Sequence, residues 1–245
     1  MTMQNRTQLG MNRTGMAMAP AHMRQMTEIT EITIPSSEGD ETSLADIRTG
    51  YNDTAEPLGS VPPPLTMKGM VKTGAKMVSG KRPHVFMDKL GERLAFERTG
   101  TRLYEAFIMK CASAGELPGD MSLDRLREFC AEEARHFKLV ADAIGELGGD
   151  PTAQTPCADV AAVESAGLMQ VITDPKTSVT QALHAILIGE LTDNAAWEDL
   201  VVLARGMGHE EMAVRFEDAS SHEAEHLANI RRWHQQATMT DAKLD

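Results

Sequence analysis

The chain has 245 residues, of which 24% are charged, 42% apolar and only 4% aromatic. That balance suits a soluble globular protein whose core is Leu, Ile, Val, Ala and Met, and it favours packed helices over a sandwich of β-branched and aromatic strands. No apolar run approaches the roughly 18 residues of a membrane helix, and the N-terminus lacks the apolar stretch of a secretory signal. The three cysteines, Cys111, Cys130 and Cys157, form no C-x-x-C pair. A disulfide framework or zinc ribbon is therefore not expected, and a reducing cytoplasm is. The net charge of −12 is uneven: residues 1–82 carry nine Lys/Arg and eight Asp/Glu, residues 83–245 fifteen and twenty-eight. Such a domain repels nucleic acid and attracts cations, so neither a nucleic-acid nor a membrane partner is expected.

Residues 1–82 read as a low-complexity, largely disordered extension. The first 26 residues hold seven Met among many Thr, Asn and Gln, without a helical stripe and without the spacing of a copper site. Pro35, Pro57 and the run Pro62-Pro63-Pro64 follow, and the periodic apolar surface is too small to offset the entropy of ordering it. Residues 65–80, with Met67, Met70, Val71, Met77 and Val78, read as a short amphipathic segment that docks onto the domain.

From residue 83 to about 240 the pattern is helical. The first helix is predicted from about Val85 to Ala114, with Leu90, Leu94, Thr101, Tyr104 and Ile108 on one face. Gly115–Asp120 is a turn, and Ser122 caps a second helix over Leu123–Leu147, which Gly148-Gly149 and Pro151 end. A long connection over about Asp150–Thr177 holds a short helix near Ala158–Gln170. A third helix over Ser178–Arg205 and a fourth over His209–Gln236 are separated only by Gly206–Gly208, as in a tight antiparallel hairpin. The whole is all-α: a four-helix bundle with a long crossover between its second and third helices.

The second and fourth helices each contain Glu-x-x-His: Glu133 with His136, and Glu223 with His226. Residues three apart share a helix face, so each pair aims a carboxylate and an imidazole the same way. The first and third helices each place a glutamate in an apolar stripe: Glu97 between Leu94 and Thr101, and Glu190 among Ile186, Leu187 and Leu191. Each helix pair thus repeats one order, a Glu, a turn and Glu-x-x-His. At about 1.5 Å rise per residue, Glu190 and Glu223 both lie roughly 21–23 Å from their turn and face each other at one level. Four buried carboxylates repel in a low dielectric, and two divalent cations neutralise them. Oxygen and imidazole ligands without thiolate suit iron or manganese.

On these six residues the sequence resembles the ferritin-like di-iron superfamily, especially its bacterioferritin and rubrerythrin branches, over about residues 85–238. The resemblance implies two iron ions, with two manganese ions as the alternative. It implies Glu97 and Glu190 as terminal ligands, Glu133 and Glu223 as bridging ligands, and His136 and His226 capping one metal each. It also implies a catalytic role for Tyr104, seven residues after Glu97, as a source of an electron or a hydrogen bond near the metals. Trp197 holds the matching place after Glu190 and reads as core packing. Glu132 and Glu225 are candidates for orienting the histidines. His222 and His184 read as surface or packing residues, and Cys130 as a small core residue. The implied activity is oxidation of Fe²⁺ or reduction of oxygen or peroxide, of ferroxidase or peroxidase type, in a homo-oligomer expected to be a dimer. A dimanganese catalase, an iron-storage protein with little turnover and a metal-free interaction module are the alternatives. The chain departs from rubrerythrins in lacking a Cys-rich iron domain and offers no assignable haem methionine. Its long crossover and N-terminal tail argue against a large cage.

Overall fold

Prolines and polar caps set where the helices begin. In the computed structural model, which describes residue 17 and residues 19–33, 42–65 and 67–244, eight α-helices and no strand occur among the described residues. The Met-rich first sixteen residues lie outside the described residues, as do 18, 34–41, 66 and 245.

The described residues divide into two units, one ending at Pro57 and the other beginning at Leu58. The smaller unit carries α1 (Pro20–Thr33) and α2 (Thr42–Thr54). The described residues of α1 include none that is buried, and α2 buries none either. The first helix of the larger unit is α3 (Met67–Val78), which packs against the long helix that follows. Lys76 Nζ lies 2.5 Å from His209 Nε2, and Lys81 Nζ donates to the Gly206 carbonyl at 2.6 Å.

Four long helices and one shorter one complete this unit. They are α4 (Pro83–Ala112), α5 (Leu123–Glu146), α6 (Pro156–Thr173), α7 (Val179–Gly206) and α8 (Glu210–Ala242). Pro83 and Pro156 sit in the first turns of α4 and α6, where a missing N–H costs nothing. Ser122 caps α5 by accepting from the Arg125 N–H. Ser178 and Gln181 form a reciprocal capping box at the start of α7. Gly208, with φ 77°, takes the left-handed conformation that closes the short α7–α8 turn. The helix in the connection is longer than expected, since Pro156 starts it earlier and Ile172 is buried near its end. Likewise α8 runs past Gln236, because Ala237 still packs into the core beside Ile230 and Trp233.

Helix α4 packs along α5, α6 and α7; α7 packs along α8 and α6; and α5 meets α8. A helix covered on several sides buries a broad arc rather than a narrow stripe. Accordingly Leu90, Leu94 and Tyr104 of the predicted face are buried, whereas Thr101 and Ile108 are half-buried and Leu103 and Phe107 lie deep. Each such large apolar side chain contributes about 1.5–3 kcal/mol on burial. The core is split into two clusters. One holds Tyr104, Phe107, Leu126, Phe129, Leu183 and Trp233, and the other Phe86, Leu90, Val140, Trp197, Leu200 and Phe216. Among the described residues, no helix is long and apolar enough to cross a membrane.

Candidate metal centre

What separates the two apolar clusters is a layer of charge. Along α4, Glu97 lies between the buried Leu94 and Leu103; along α5, Glu133 and His136 lie between Phe129 and Val140. Along α7, Glu190 and Asp193 lie between Ile186 and Trp197; along α8, Glu223 and His226 lie between Ala219 and Ile230. All six predicted ligand residues are therefore buried, none more than 4% exposed, and they converge. Ligand atoms of Glu133, Glu190, Glu223 and His226 lie within 4.8 Å of one another, and so do those of Glu97, His136 and Glu223.

Glu223 stands at the centre. Its Oε1 lies 2.6 Å from His136 Nδ1 and its Oε2 3.3 Å from His226 Nδ1, one oxygen for each imidazole. His226 Nδ1 is also 3.4 Å from Glu133 Oε1. Close as they are, both oxygens of Glu223 and both Nδ1 atoms lack a partner at hydrogen-bonding geometry, and the same holds for Glu97 Oε2 and Glu190 Oε2. Buried polar atoms without partners are rare and costly. Six oxygen and imidazole nitrogen atoms from four helices, unpartnered and facing one another, suit cations that displace the protons held there, and the residues present could hold divalent metal ions.

The surrounding groups orient these lone pairs. His226 Nε2 lies 2.7 Å from Glu132 Oε2, which places a proton on Nε2 and leaves Nδ1 toward the cluster. His136 Nε2 lies 3.4 Å from Nδ1 of the exposed His222, whose ring stacks on it. Glu225 does not join them; it is exposed and pairs with Arg125. Cys130 is half-buried with Sγ 3.6 Å from the Thr101 carbonyl, and His184 is exposed beside His234. Glu190 and Glu97 each have one oxygen held by an aromatic donor, Glu190 by one from α4 and Glu97 by one from α7. The Tyr104 hydroxyl donates to Glu190 Oε1, and Trp197 Nε1 donates to Glu97 Oε1 at 2.9 Å. Trp197 is thus packed in the core and also a hydrogen-bond donor at the site.

Sequence reasoning missed two members of the layer. Arg93, 2% exposed, pairs through Nε with Glu97 Oε1 at 3.1 Å and through Nη1 with the Asp193 carboxylate. Asp193, equally buried, has a carboxylate oxygen within reach of those of Glu97, Glu133 and Glu223. The signal was their spacing, since Arg93 stands one turn before Glu97 and Asp193 one turn after Glu190 on the same faces. Beside the layer lies a cavity of about 10 Å³, bordered by Gly100, Leu103, Tyr104, Glu133, Gly189 and Glu190. That is room for about one water-sized molecule.

Burial and mutual repulsion dominate the electrostatics. Burial pushes the carboxyls of Glu97, Glu190 and Asp193 well above the ordinary range and Glu133 above it, with Glu223 and other neighbouring carboxylates adding to the rise. Arg93 pulls Glu97 and Asp193 partly back. Burial also acts on Glu223, but the two imidazoles beside it outweigh burial and hold it low. His226 is disfavoured as a cation by burial, yet Glu133 and Glu223 raise it to about 11.

The metal-free folded chain therefore binds more protons than the unfolded chain over a wide range. The raised carboxyls favour the folded state at acidic pH, and this contribution is lost as pH climbs above their unfolded value of 4.5. The His226 contribution is complete below 6.5 and lost as pH rises through about 11. Only Glu223 opposes them. Metal-free protein should therefore melt higher at about pH 5.5 than at about pH 8.5, and Mn²⁺ or Fe²⁺ should stabilise it more at the higher pH, because binding releases these protons. Thermal melts with chelator and with metal check both; a metal-free melting temperature that rises over this interval contradicts the assignment.

No protein-family model, curated protein or solved structure matches the chain.

Proposed function

We propose that this is a ferritin-like dinuclear-metal redox protein, with iron as the metal, that oxidises Fe²⁺ or reduces dioxygen or peroxide. The fold reading takes α4–α5 and α7–α8 as the two hairpins of a four-helix bundle, with the segment containing α6 as the crossover. The observation that carries the proposal is the set of six unpartnered ligand atoms, from Glu97, His136, Glu190, Glu223 and His226, facing one another between four helices. Glu97 and Glu190 would hold the metals through their free Oε2, His136 and His226 through Nδ1 and Glu223 through its two oxygens, with Glu133, whose Oε1 lies 3.4 Å from His226 Nδ1, completing the set. Held by these residues, a pair of Fe²⁺ ions would supply one electron each to the oxidant.

The chain's own residues do the rest. Four glutamates balance two divalent cations, and burial of the layer between two apolar clusters keeps bulk water out, which strengthens every charge interaction inside. The cavity beside Glu133 and Glu190 is too small for an organic substrate and suits a small oxidant. The Tyr104 hydroxyl is held on Glu190, and burial beside that carboxylate raises it well above the usual phenol range, so it stays protonated and available as a proton or hydrogen-bond donor.

The test is to load chelator-treated protein with Fe²⁺ without oxygen, add oxygen or peroxide, and follow iron oxidation by its ultraviolet absorbance. Rapid oxidation of two irons per chain is expected. Oxidation no faster than in buffer would defeat the iron reading, and steady oxygen release from peroxide by the Mn²⁺-loaded protein would assign manganese instead. Tyr104→Phe is expected to keep two metals per chain and slow the oxidation about tenfold, the equivalent of one lost hydrogen bond to a carboxylate. An unchanged rate would leave Tyr104 with packing alone.

A further inference from the structure

The ligands of the layer are repeated between its halves, but their neighbours are not. Reading α4 and α7 in register on Glu97 and Glu190, Tyr104 matches Trp197, whereas Arg93 matches Ile186 and Gly100 matches Asp193. One half therefore gains a buried cation with its own counter-ion where the other has an apolar side chain, and the small cavity borders Asp193 as well as Ile186. Arg93 is fixed from several directions. Nη1 also donates to the Asp193 carbonyl at 3.2 Å, and the guanidinium lies over the Phe96 ring at 4.5 Å. With Trp197, it occupies Glu97 Oε1 and leaves only Oε2 facing the cluster.

Resting on the dinuclear reading, we infer that Arg93 makes the two metal positions unequal, so that the Glu190–His226 half fills first and the Glu97–His136 half second and more weakly. Two physical effects act together. A fixed positive charge in direct contact with a metal ligand repels an incoming cation, and in a dry interior this repulsion is only weakly screened. The same contact withdraws one oxygen of Glu97. On the other side, Glu190 loses one oxygen only to a neutral phenol, and the group gathered there, Glu133, Glu190, Glu223 and His226, includes no residue paired with the guanidinium, whereas in the group Glu97, Glu133, Asp193 and Glu223 two of the four carboxylates contact Arg93. Asp193 serves Arg93: its carboxylate offsets the cost of burying the guanidinium and keeps the net charge of the layer matched to two divalent ions. Arg93 is in this sense a positioning residue that sets the order of filling.

The experiment is a titration of chelator-treated full-length protein with Mn²⁺, read by calorimetry and by electron paramagnetic resonance, which separates an isolated ion from a coupled pair. In the wild type, the first equivalent should give an isolated-ion spectrum and the second should convert it to that of a pair, with dissociation constants at least about tenfold apart. Glu97→Gln should keep the tighter step and lose the weaker one. Arg93→Leu with Asp193→Leu removes the charge and its counter-ion together, and should tighten the second step about tenfold, so that pairs form from the first additions. Arg93→Lys, which keeps the charge, should preserve two separated steps. The inference is overturned if pairs form from the outset in the wild type, if Glu97→Gln abolishes the tighter step, or if the double variant keeps the wild-type gap. If the double variant does not fold, the wild type and Glu97→Gln still decide the matter. Wild-type protein that binds no Mn²⁺ defeats the dinuclear reading and this inference with it, whereas two equal steps defeat only the role of Arg93.

Discussion

Glu190→Gln is expected to melt at a higher temperature than the wild type when both are metal-free, and to lose the ability to hold two metal ions. The two changes have one cause. Glu190 is 4% exposed, and burial together with Glu223 and Glu133 drives its carboxyl well above the ordinary range, so folding works against its ionisation at neutral pH. Glutamine keeps the shape and can still accept from Tyr104, but it carries no charge to bury. A gain of about 1–3 kcal/mol is reasonable for relieving such a site, which is about 2–4 °C per kcal/mol for a protein of this size. Glutamine cannot supply an anionic oxygen, so binding at that position should weaken by ~100-fold or more. Calorimetric melts with chelator and a Mn²⁺ titration measure the two effects. A variant less stable than the wild type that still binds two ions would assign Glu190 a structural role instead.

Gly100→Ala is expected to damage metal binding without damaging the fold. Alanine is the better helix former by about 1 kcal/mol within a helix such as α4. The position is constrained for another reason: a Cβ there would run into Glu133 Oε2 and come within 3.0 Å of its Cδ. The obstructing atom is the end of a flexible side chain, so the backbone need not move, but the carboxylate must leave its observed position beside Glu223 and His226. Binding weaker by about 10–100-fold with undiminished metal-free stability is the expected outcome. Unaltered affinity would mean that Glu133 does not contribute as a ligand from its observed position.

The helical architecture of the larger unit was legible because its signals are local. Pro83, Ser122, Pro156, Ser178 and Gly208 mark ends that depend on backbone chemistry within a few residues. The convergence of the six candidate ligand residues was legible because Glu133–His136 and Glu223–His226 repeat a spacing, and because Glu97 and Glu190 interrupt apolar faces. The rest depends on tertiary neighbours. Arg93 and Asp193 lie on different helices a hundred residues apart, and charged residues in helices ordinarily face water; only the packing of α4 against α7 makes them a buried pair. The exchange of donors, Tyr104 of α4 to Glu190 of α7 and Trp197 of α7 to Glu97 of α4, needs the same packing. Spacing along one helix placed Tyr104 near the site and read Trp197 as core packing, and it could not show which glutamate either would meet. Glu132 and Glu225 were both candidates for orienting the histidines; Glu132 reaches His226 and Glu225 pairs with Arg125, which depends on how α5 meets α8.

The most direct test counts metal. Protein purified without added metal, and without chelators, should contain two divalent ions per chain by elemental analysis, iron foremost, and should lose both on exchange of any two of the central glutamates for alanine. Stabilisation on returning the metal must accompany it, since a ligand that binds only the folded state raises the melting temperature. A chain that retains no divalent metal, and whose melting temperature is unmoved by Fe²⁺ and Mn²⁺, would contradict the account at its foundation.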